Sequence, residues 1–245
     1  MPITWWSQLI WLLALALGSF LVTWIFTDQL RLTRTAYIGV LTVVTGGFLF
    51  GYLSWSNADW GEFLSHQWVW GLVGAVIAGP LLIVLFAQGA QRARHALSRV
   101  LAPTPRPEGL RLVGALLWEG IVYGIAEGLL LSVLPVLMAW QTLSALGWTQ
   151  SWMGVIFSGV VALLASLFVI VVHHLGYREF RGPQQVAGAA MACGILSLAY
   201  LLTVNPLAAI GGHIIAHTGA ILRGTELPPH QEKGVQTVAS MLPAR

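Results

Sequence analysis

The feature that most constrains this chain is a series of seven long apolar segments. Six of them are close to the roughly 20 apolar residues that an α-helix needs to cross a bilayer, and the fourth is longer. Only 9% of the 245 residues are charged, whereas a soluble domain carries about 25%, so the chain lacks the charges to cover a water-facing surface. We therefore predict an all-α polytopic membrane protein with about seven transmembrane helices. The predicted segments are Trp5–Phe26, Ala36–Trp55, Trp68–Gln88, Leu110–Trp140, Trp152–His174, Gln185–Val204 and Pro206–Leu222.

The basic residues indicate how these segments are oriented. If the segments alternate in direction, all 12 Lys and Arg residues fall on one side of the membrane, and the other side carries Asp59 and Glu62. Because Lys and Arg favour cytoplasmic loops, we predict a multi-pass protein of the plasma (inner) membrane with its amino terminus outside and its carboxy terminus inside. The basic residues of the predicted cytoplasmic loops thus explain the net positive charge of the chain. The sequence has no nucleic-acid-binding motif, and we predict no nucleic-acid partner.

A segment rich in proline and arginine, Gln91–Glu108, is the longest predicted cytoplasmic connection. It suggests a division of the chain into three parts. Residues 1–105 form a three-helix amino-terminal part that ends in this loop, residues 106–223 form a four-helix core, and residues 224–245 form a polar cytoplasmic tail.

Six ionisable residues lie in or at the ends of predicted membrane helices, and all six belong to the four-helix core. Such residues are costly in a bilayer and usually face the interior of the helix bundle. Each has a purely structural interpretation, because a glutamate can bond a neighbouring helix and a histidine can pack or lie at the interface. Together they favour a shared polar site. The six are Glu119 and Glu127 on the fourth segment, His173 and His174 closing the fifth, and His213 and His217 on the seventh.

The spacing of the last two histidines is typical of a helical metal site. His213 and His217 are four residues apart, so both imidazoles lie on one helix face and can ligate one ion. The chain has a single cysteine, which excludes a cysteine-based metal site.

The depth of each glutamate can be predicted from the helical rise. At about 1.5 Å per residue, Glu119 lies about 12 Å from Arg111 and Glu127 about 24 Å. We therefore expect Glu119 to converge with the histidines in the cytoplasmic half of the bundle and Glu127 to lie deeper.

The order of these residues along the chain resembles the CPBP family, the type II CAAX-prenyl-endopeptidases and bacteriocin-processing (Abi-like) membrane proteins. The family pattern is Glu-Glu-x-x-x-Arg, then Phe-x-x-x-His, then His-x-x-x-Asn. Here Glu127–Ser132 and Glu119–Gly124 each keep one glutamate of the first motif. Ile170–His174 keeps the histidine of the second, and His213–His217 ends in histidine instead of asparagine. The resemblance covers about half of the chain.

This resemblance implies an intramembrane metal-dependent endopeptidase that acts on a peptide or membrane-protein substrate. It implies a divalent metal, with zinc as the expected ion, and metal ligands drawn from His173, His174, His213 and His217. The catalytic groups would be Glu119 or Glu127 as the base and His174. The second glutamate and the arginine of the first motif are absent here, which leaves an inactive CPBP-like scaffold or a changed substrate as an alternative.

Three other functions fit parts of the pattern. A seven-helix hydrolase of the progestin-and-adiponectin-receptor or ceramidase type has a His-x-x-x-His on its last helix, but also needs polar ligands on early helices that are absent here. A b-type haem protein accounts for the histidines and leaves the glutamates unexplained. A proton-coupled transporter accounts for both residue types, although the chain shows no repeated halves.

Overall fold

The computed structural model describes residues 4–57, 59–96 and 107–223. Throughout these ranges the chain forms helices joined by turns, and no strand occurs in them. Six helices are long and apolar enough to cross a membrane, which confirms the prediction of an all-α polytopic membrane protein. In chain order the helices are α1 (Trp5–Gln29), α2 (Arg34–Ser56), α3 (Trp60–Ser65), α4 (Trp68–Ala96), α5 (Gly109–Ala145), α6 (Trp152–Gly176), α7 (Pro183–Thr203) and α8 (Leu207–Arg223).

Side chains with hydroxyl or carboxylate oxygens define the first turns of several helices. The Thr4 and Ser7 side chains cap α1 reciprocally, and Thr33 accepts a hydrogen bond from the Ala36 amide at the start of α2. Asp59 and Ser151 do the same at the starts of α3 and α6. These bonds satisfy amide groups that a helix leaves without an internal partner.

The long helix α5 has 37 residues, or about 55 Å at the α-helical rise, against a hydrocarbon core of about 30 Å. Its ends therefore extend beyond the apolar layer. Two wide π-helical stretches interrupt it, at Leu116–Val122 and Gly128–Val133. Pro135 is the second residue after this stretch, where the altered hydrogen-bonding register accommodates a residue that has no amide proton.

The last helix, α8, lies in the middle of the bundle. It corresponds to the seventh predicted span but has only 17 residues, and it is not among the six helices of membrane-spanning length. None of residues 205–221 is exposed, because α4, α5 and α7 surround the helix. The seventh predicted span is thus a short, enclosed helix.

A row of glycines brings α5 and α8 into backbone contact. A Cβ atom added to Gly124 would lie 2.8 Å from the backbone of α8, and one added to Gly128 would lie 2.9 Å from it. Small residues at four-residue spacing allow this close approach in membranes. The facing pairs are Gly120 with Thr218, Gly124 with Ile214 and Gly128 with Ile210.

The helices before and after the predicted boundary near residue 105 pack as one unit. Helix α4 makes its most extensive contact with α8, while α1 packs against α6 and the end of α5, and α2 packs against the middle of α5. The first three membrane helices therefore contact helices of the predicted four-helix core. The predicted tail, residues 224–245, lies outside the described residues.

Contacts between loops agree with the predicted alternation of helix direction. Arg181, after α6, is 2.7 Å from Asp28 at the end of α1. At the other end, the Asn205 side chain between α7 and α8 donates to the carbonyls of Leu64 and His66, before α4. Loops expected on the same side of the membrane are thus neighbours.

Cysteine labelling will test the predicted orientation. The native Cys193 is buried, whereas Glu62 and Arg111 are exposed and are predicted to lie on opposite sides. In intact cells, a membrane-impermeant maleimide is expected to label Glu62→Cys, and to label Arg111→Cys only after lysis. The reverse pattern would show that the amino terminus is inside.

The glycine contact predicts a selective loss of stability. Gly124→Ala places a Cβ against the α8 backbone and should lower the free energy of unfolding by about 1–3 kcal/mol. Gly114→Ala on the same helix is the matched control, since a Cβ there meets nothing within 4 Å. Thermal unfolding of both variants in detergent measures the difference, and equal transition temperatures would contradict the close packing.

Candidate metal centre

One carboxylate and two imidazoles meet where α5 faces α8. Glu127 Oε2 lies 2.8 Å from His217 Nε2 and 3.8 Å from His213 Nδ1. Within the described ranges, these three residues form a group whose candidate ligand atoms all lie within 4.8 Å of one another, and they could hold a metal ion. We call them the Glu127 cluster.

The Glu127 cluster is enclosed on most sides. The Glu127 side chain is 9% exposed and that of His213 is 3% exposed, while His217 is 21% exposed and marks the open side. Nε2 of His213 is buried and has no hydrogen-bond partner among the described residues. A buried ring nitrogen without a partner costs about 1–3 kcal/mol.

Local features of α5 and α8 place these three side chains together. Glu127 ends the α-helical turn Tyr123–Glu127, between the two π-helical stretches. The contact of Gly124 with Ile214 sets the spacing between the helices. The Tyr123 ring packs against His217, with 4.7 Å between ring centroids, and Tyr123 also interacts with the Glu127 carboxylate. Contacts within α5 and contacts between α5 and α8 thus hold the cluster in place.

The other predicted metal ligands, His173 and His174, do not belong to the ligand group of the Glu127 cluster. Both pack against Tyr177, with ring centroids 5.4 and 6.1 Å apart. Nδ1 of His174 is 2.8 Å from the Ile170 carbonyl. Since a carbonyl only accepts, that nitrogen carries the proton and Nε2 of the neutral ring has a free lone pair. Of the four histidines predicted as ligands, the structure brings His213 and His217 together with Glu127.

Glu119 has a different environment from the one predicted for it. Its carboxylate lies 3.1 Å from Nε of Arg34 at the start of α2, and the Arg34 guanidinium lies over the Tyr123 ring. The expectation that Glu119 would meet the histidines was therefore wrong, and Glu127 takes that place. The depth estimate failed because it took Arg111 as the membrane boundary, whereas α5 is much longer than the bilayer is thick.

Sequence reasoning missed the polar residues that the amino-terminal helices contribute. Thr23 on α1, and Arg34 and Tyr37 on α2, lie around the site together with Tyr177 after α6. Hydroxyl groups carry no charge signal, and Arg34 was interpreted as a loop residue. The glycine row at positions 120, 124 and 128 was visible in the sequence as a small-xxx-small pattern.

No protein-family model matches the chain, and no curated protein or solved structure matches it significantly. The chemistry of the Glu127 cluster is therefore argued from its own geometry.

Metal binding should distinguish the two glutamates. Glu127→Gln removes a charged ligand from the cluster and should abolish binding of zinc or cobalt to purified protein, whereas Glu119→Gln should leave it unchanged. Elemental analysis after dialysis against limiting metal gives the stoichiometry, with about one ion per chain expected for the unsubstituted protein. Equal binding by both variants would show that the ion does not use Glu127.

Proposed function

We propose that the protein is a metal-dependent intramembrane endopeptidase whose centre is the Glu127 cluster. The observation that carries the proposal is a buried carboxylate within ligand distance of two imidazoles from a neighbouring membrane helix. A carboxylate and two histidines, with a position left for water, is a ligand set of catalytic zinc in soluble hydrolases. The predicted resemblance to CPBP proteins points to the same chemistry.

The spacing of the cluster fits a tetrahedral ion. Zinc bonds nitrogen and oxygen at about 2.0–2.2 Å, so neighbouring ligand atoms in a tetrahedral site are about 3.4 Å apart. The distances from Glu127 Oε2 to His217 and His213, 2.8 and 3.8 Å, lie on either side of this value. The three candidate ligand atoms all lie within 4.8 Å of one another, so a shared ion would draw the more distant ones together. Zinc is our first candidate because it accepts this mixed ligand set.

In this proposal, different residues of the chain have different roles in hydrolysis. A bound divalent ion supplies Lewis acidity toward the scissile carbonyl and lowers the pKa of a water molecule. His174, with its proton held at Nδ1 by the Ile170 carbonyl, offers Nε2 to receive a proton from that water. Arg34, paired with Glu119, lies over the ring of Tyr123 beside the site.

The location of the cluster suggests the kind of substrate. Glu127 and His213 are enclosed by membrane helices, and His217 is the most accessible member. A peptide segment of a membrane protein, or the membrane-proximal end of one, would reach the carboxylate past His217. This access, with the predicted cytoplasmic position of the basic loops, favours substrates in the plasma membrane.

Peptide hydrolysis in proteoliposomes tests the proposal. The purified protein, loaded with zinc, is expected to cleave members of a library of labelled membrane-spanning peptides, and a chelator should stop the reaction. Glu127→Gln and His217→Ala should each reduce the rate by about a hundredfold or more, as expected when catalytic groups are lost. His66→Ala, in an exposed loop, is the control.

Two results would contradict the peptidase proposal. Cleavage that persists in Glu127→Gln would place the reaction elsewhere. Stoichiometric metal binding with no cleavage of any peptide would favour a protein that binds metal without proteolysis, such as a transporter or a scaffold.

A further inference from the structure

His217 is the most exposed member of the Glu127 cluster, with 21% of its side chain accessible. Its Nε2 lies 2.8 Å from Glu127 Oε2, and within the described residues the ring makes no second hydrogen bond. Metal-ligating histidines usually donate their other ring N–H to a carboxylate, a carbonyl or a water, and that bond fixes the orientation of the ring. The protein side of the cluster must therefore orient His217 mainly by packing against its ring.

Tyr123 is the aromatic residue that packs most closely against His217. The two ring centroids are 4.7 Å apart, whereas the ring of His213, one turn earlier on α8, is 6.2 Å away. Tyr123 is itself buried, and the guanidinium carbon of Arg34 lies 5.7 Å from the centroid of its ring. A displacement of the Tyr123 ring would therefore free the imidazole to turn away from Glu127.

A chain of buried hydroxyl groups holds the far end of Tyr123. The Tyr123 and Tyr177 hydroxyls are 3.3 Å apart, and Tyr177 donates to Tyr37 over 2.7 Å. Tyr37 is 3.1 Å from Thr23 Oγ1. The Thr23 hydroxyl donates its single proton to the Ser19 carbonyl, 2.9 Å away, so it accepts from Tyr37. We call these four side chains the hydroxyl chain, and it links Tyr123 to the backbone of α1.

The hydroxyl chain draws its members from four parts of the fold. Thr23 belongs to α1, Tyr37 to α2 and Tyr123 to α5, and Tyr177 follows α6 directly. None of the four side chains is more than 6% exposed, so water is not at hand to replace a lost partner. Removal of one hydroxyl therefore leaves its neighbour without a hydrogen bond, and the effect passes along the chain to Tyr123.

We propose that Tyr123 is a positioning residue for His217 and that the hydroxyl chain holds it in this role. The chain fixes the Tyr123 ring, the ring fixes the imidazole of His217, and Nε2 of that imidazole stays within reach of Glu127. The position of His217 does not depend on peptide hydrolysis, whereas the consequence for metal affinity rests on the proposed metal centre. Tyr37 and Thr23 thus support a ligand from two helices that supply none of the ligand atoms.

Two tyrosines on α2 separate this positioning role from a general effect on stability. Tyr37 and Tyr52 are both fully buried, and the hydroxyl of each is hydrogen-bonded. Tyr52 belongs to a different polar group, in which it contacts Gln8 and Gln141. Loss of either hydroxyl should lower the thermal stability by a comparable amount. Only the loss of the Tyr37 hydroxyl should alter the position of His217.

Solid-state NMR on protein with 15N-labelled histidine, reconstituted in lipid without metal, gives the first measurement. His217, assigned by comparison with His217→Asn, should show one Nε2–H signal that correlates with the Glu127 carboxylate carbon, because a carboxylate only accepts. Tyr37→Phe should broaden or split this signal and weaken the correlation. Tyr52→Phe, the matched control, should leave both unchanged. A Tyr37→Phe protein with the unsubstituted His217 spectrum would overturn the positioning role.

Two further variants keep this measurement decisive. Thr23→Val breaks the hydroxyl chain at its other end and should reproduce the effect of Tyr37→Phe, even if that protein does not fold. Tyr123→Leu removes the ring and should abolish the correlation between His217 and Glu127, whereas Tyr123→Phe keeps the ring contact and should retain part of it. An unaltered correlation in a folded Tyr123→Leu protein would also overturn the proposal.

Titration of the same variants with zinc and cobalt gives the second measurement. Tyr37→Phe and Tyr123→Leu should weaken metal binding about 10- to 100-fold, the usual scale for residues that orient metal ligands, and should change the visible absorption of bound cobalt. Tyr52→Phe should do neither. Equal affinity and an equal cobalt spectrum in Tyr123→Leu would overturn the positioning role. If the unsubstituted protein binds no ion and the NMR changes are as expected, the metal centre and the peptidase are rejected and the positioning of His217 is supported.

Discussion

The close approach of α5 and α8 is the contact on which the candidate site depends. Three glycines on α5 allow the backbone of α8 to come near enough for Glu127 to reach His217 directly. A side chain at Gly124 would separate the helices at the level of His213 and Ile214. In a bilayer, where lipid competes equally well for apolar side chains, such close backbone packing is a main source of helix association. Stability and site geometry therefore have a common origin.

The same contact explains why a 17-residue helix can occupy the centre of a membrane protein. Helix α8 is enclosed by other helices along its length, so it need not match the thickness of the bilayer as a lipid-facing helix must. His213 is also buried from lipid, where an unpaired polar group is costly, whereas His217 lies on the open side of the cluster. The surrounding helices present their apolar faces outward, and many of their leucines, valines and tryptophans are exposed.

The sequence predicted the fold class, the six long spans and the pairing of His213 with His217, because each depends on local patterns. Apolar length marks a membrane helix, and four-residue spacing places two side chains on one helix face. Choosing between Glu119 and Glu127 required the offset of α5 against α8. That offset depends on which residues of α8 the glycine row contacts and on how far α5 extends beyond the bilayer. Counting the helical rise from Arg111 gives neither of these.

The hydrogen-bonded hydroxyl groups of Thr23, Tyr37, Tyr177 and Tyr123 were beyond sequence analysis for a different reason. Tyr37, Tyr123 and Tyr177 lie on three separate elements, and uncharged tyrosines are ordinary residues in apolar segments. Only the packing of α2 against α5, and of α1 against α6, brings their hydroxyls into one chain with Thr23. Arg34 was missed in a similar way, since a basic residue next to a predicted loop gives no indication that it pairs with a glutamate on another helix.

The separation of the two glutamates has a consequence for the proposed chemistry. Glu119 is neutralised by Arg34, so the Glu127 cluster contains a single carboxylate and two imidazoles that are neutral when they bind a metal. With a divalent ion, such a ligand set has a net charge of about +1, and this positive charge favours ionisation of a bound water. A second carboxylate among the ligands would cancel it. Glu119 lies about 12 Å before Glu127 along α5 and is paired with Arg34, so the proposed ligand set keeps a single carboxylate.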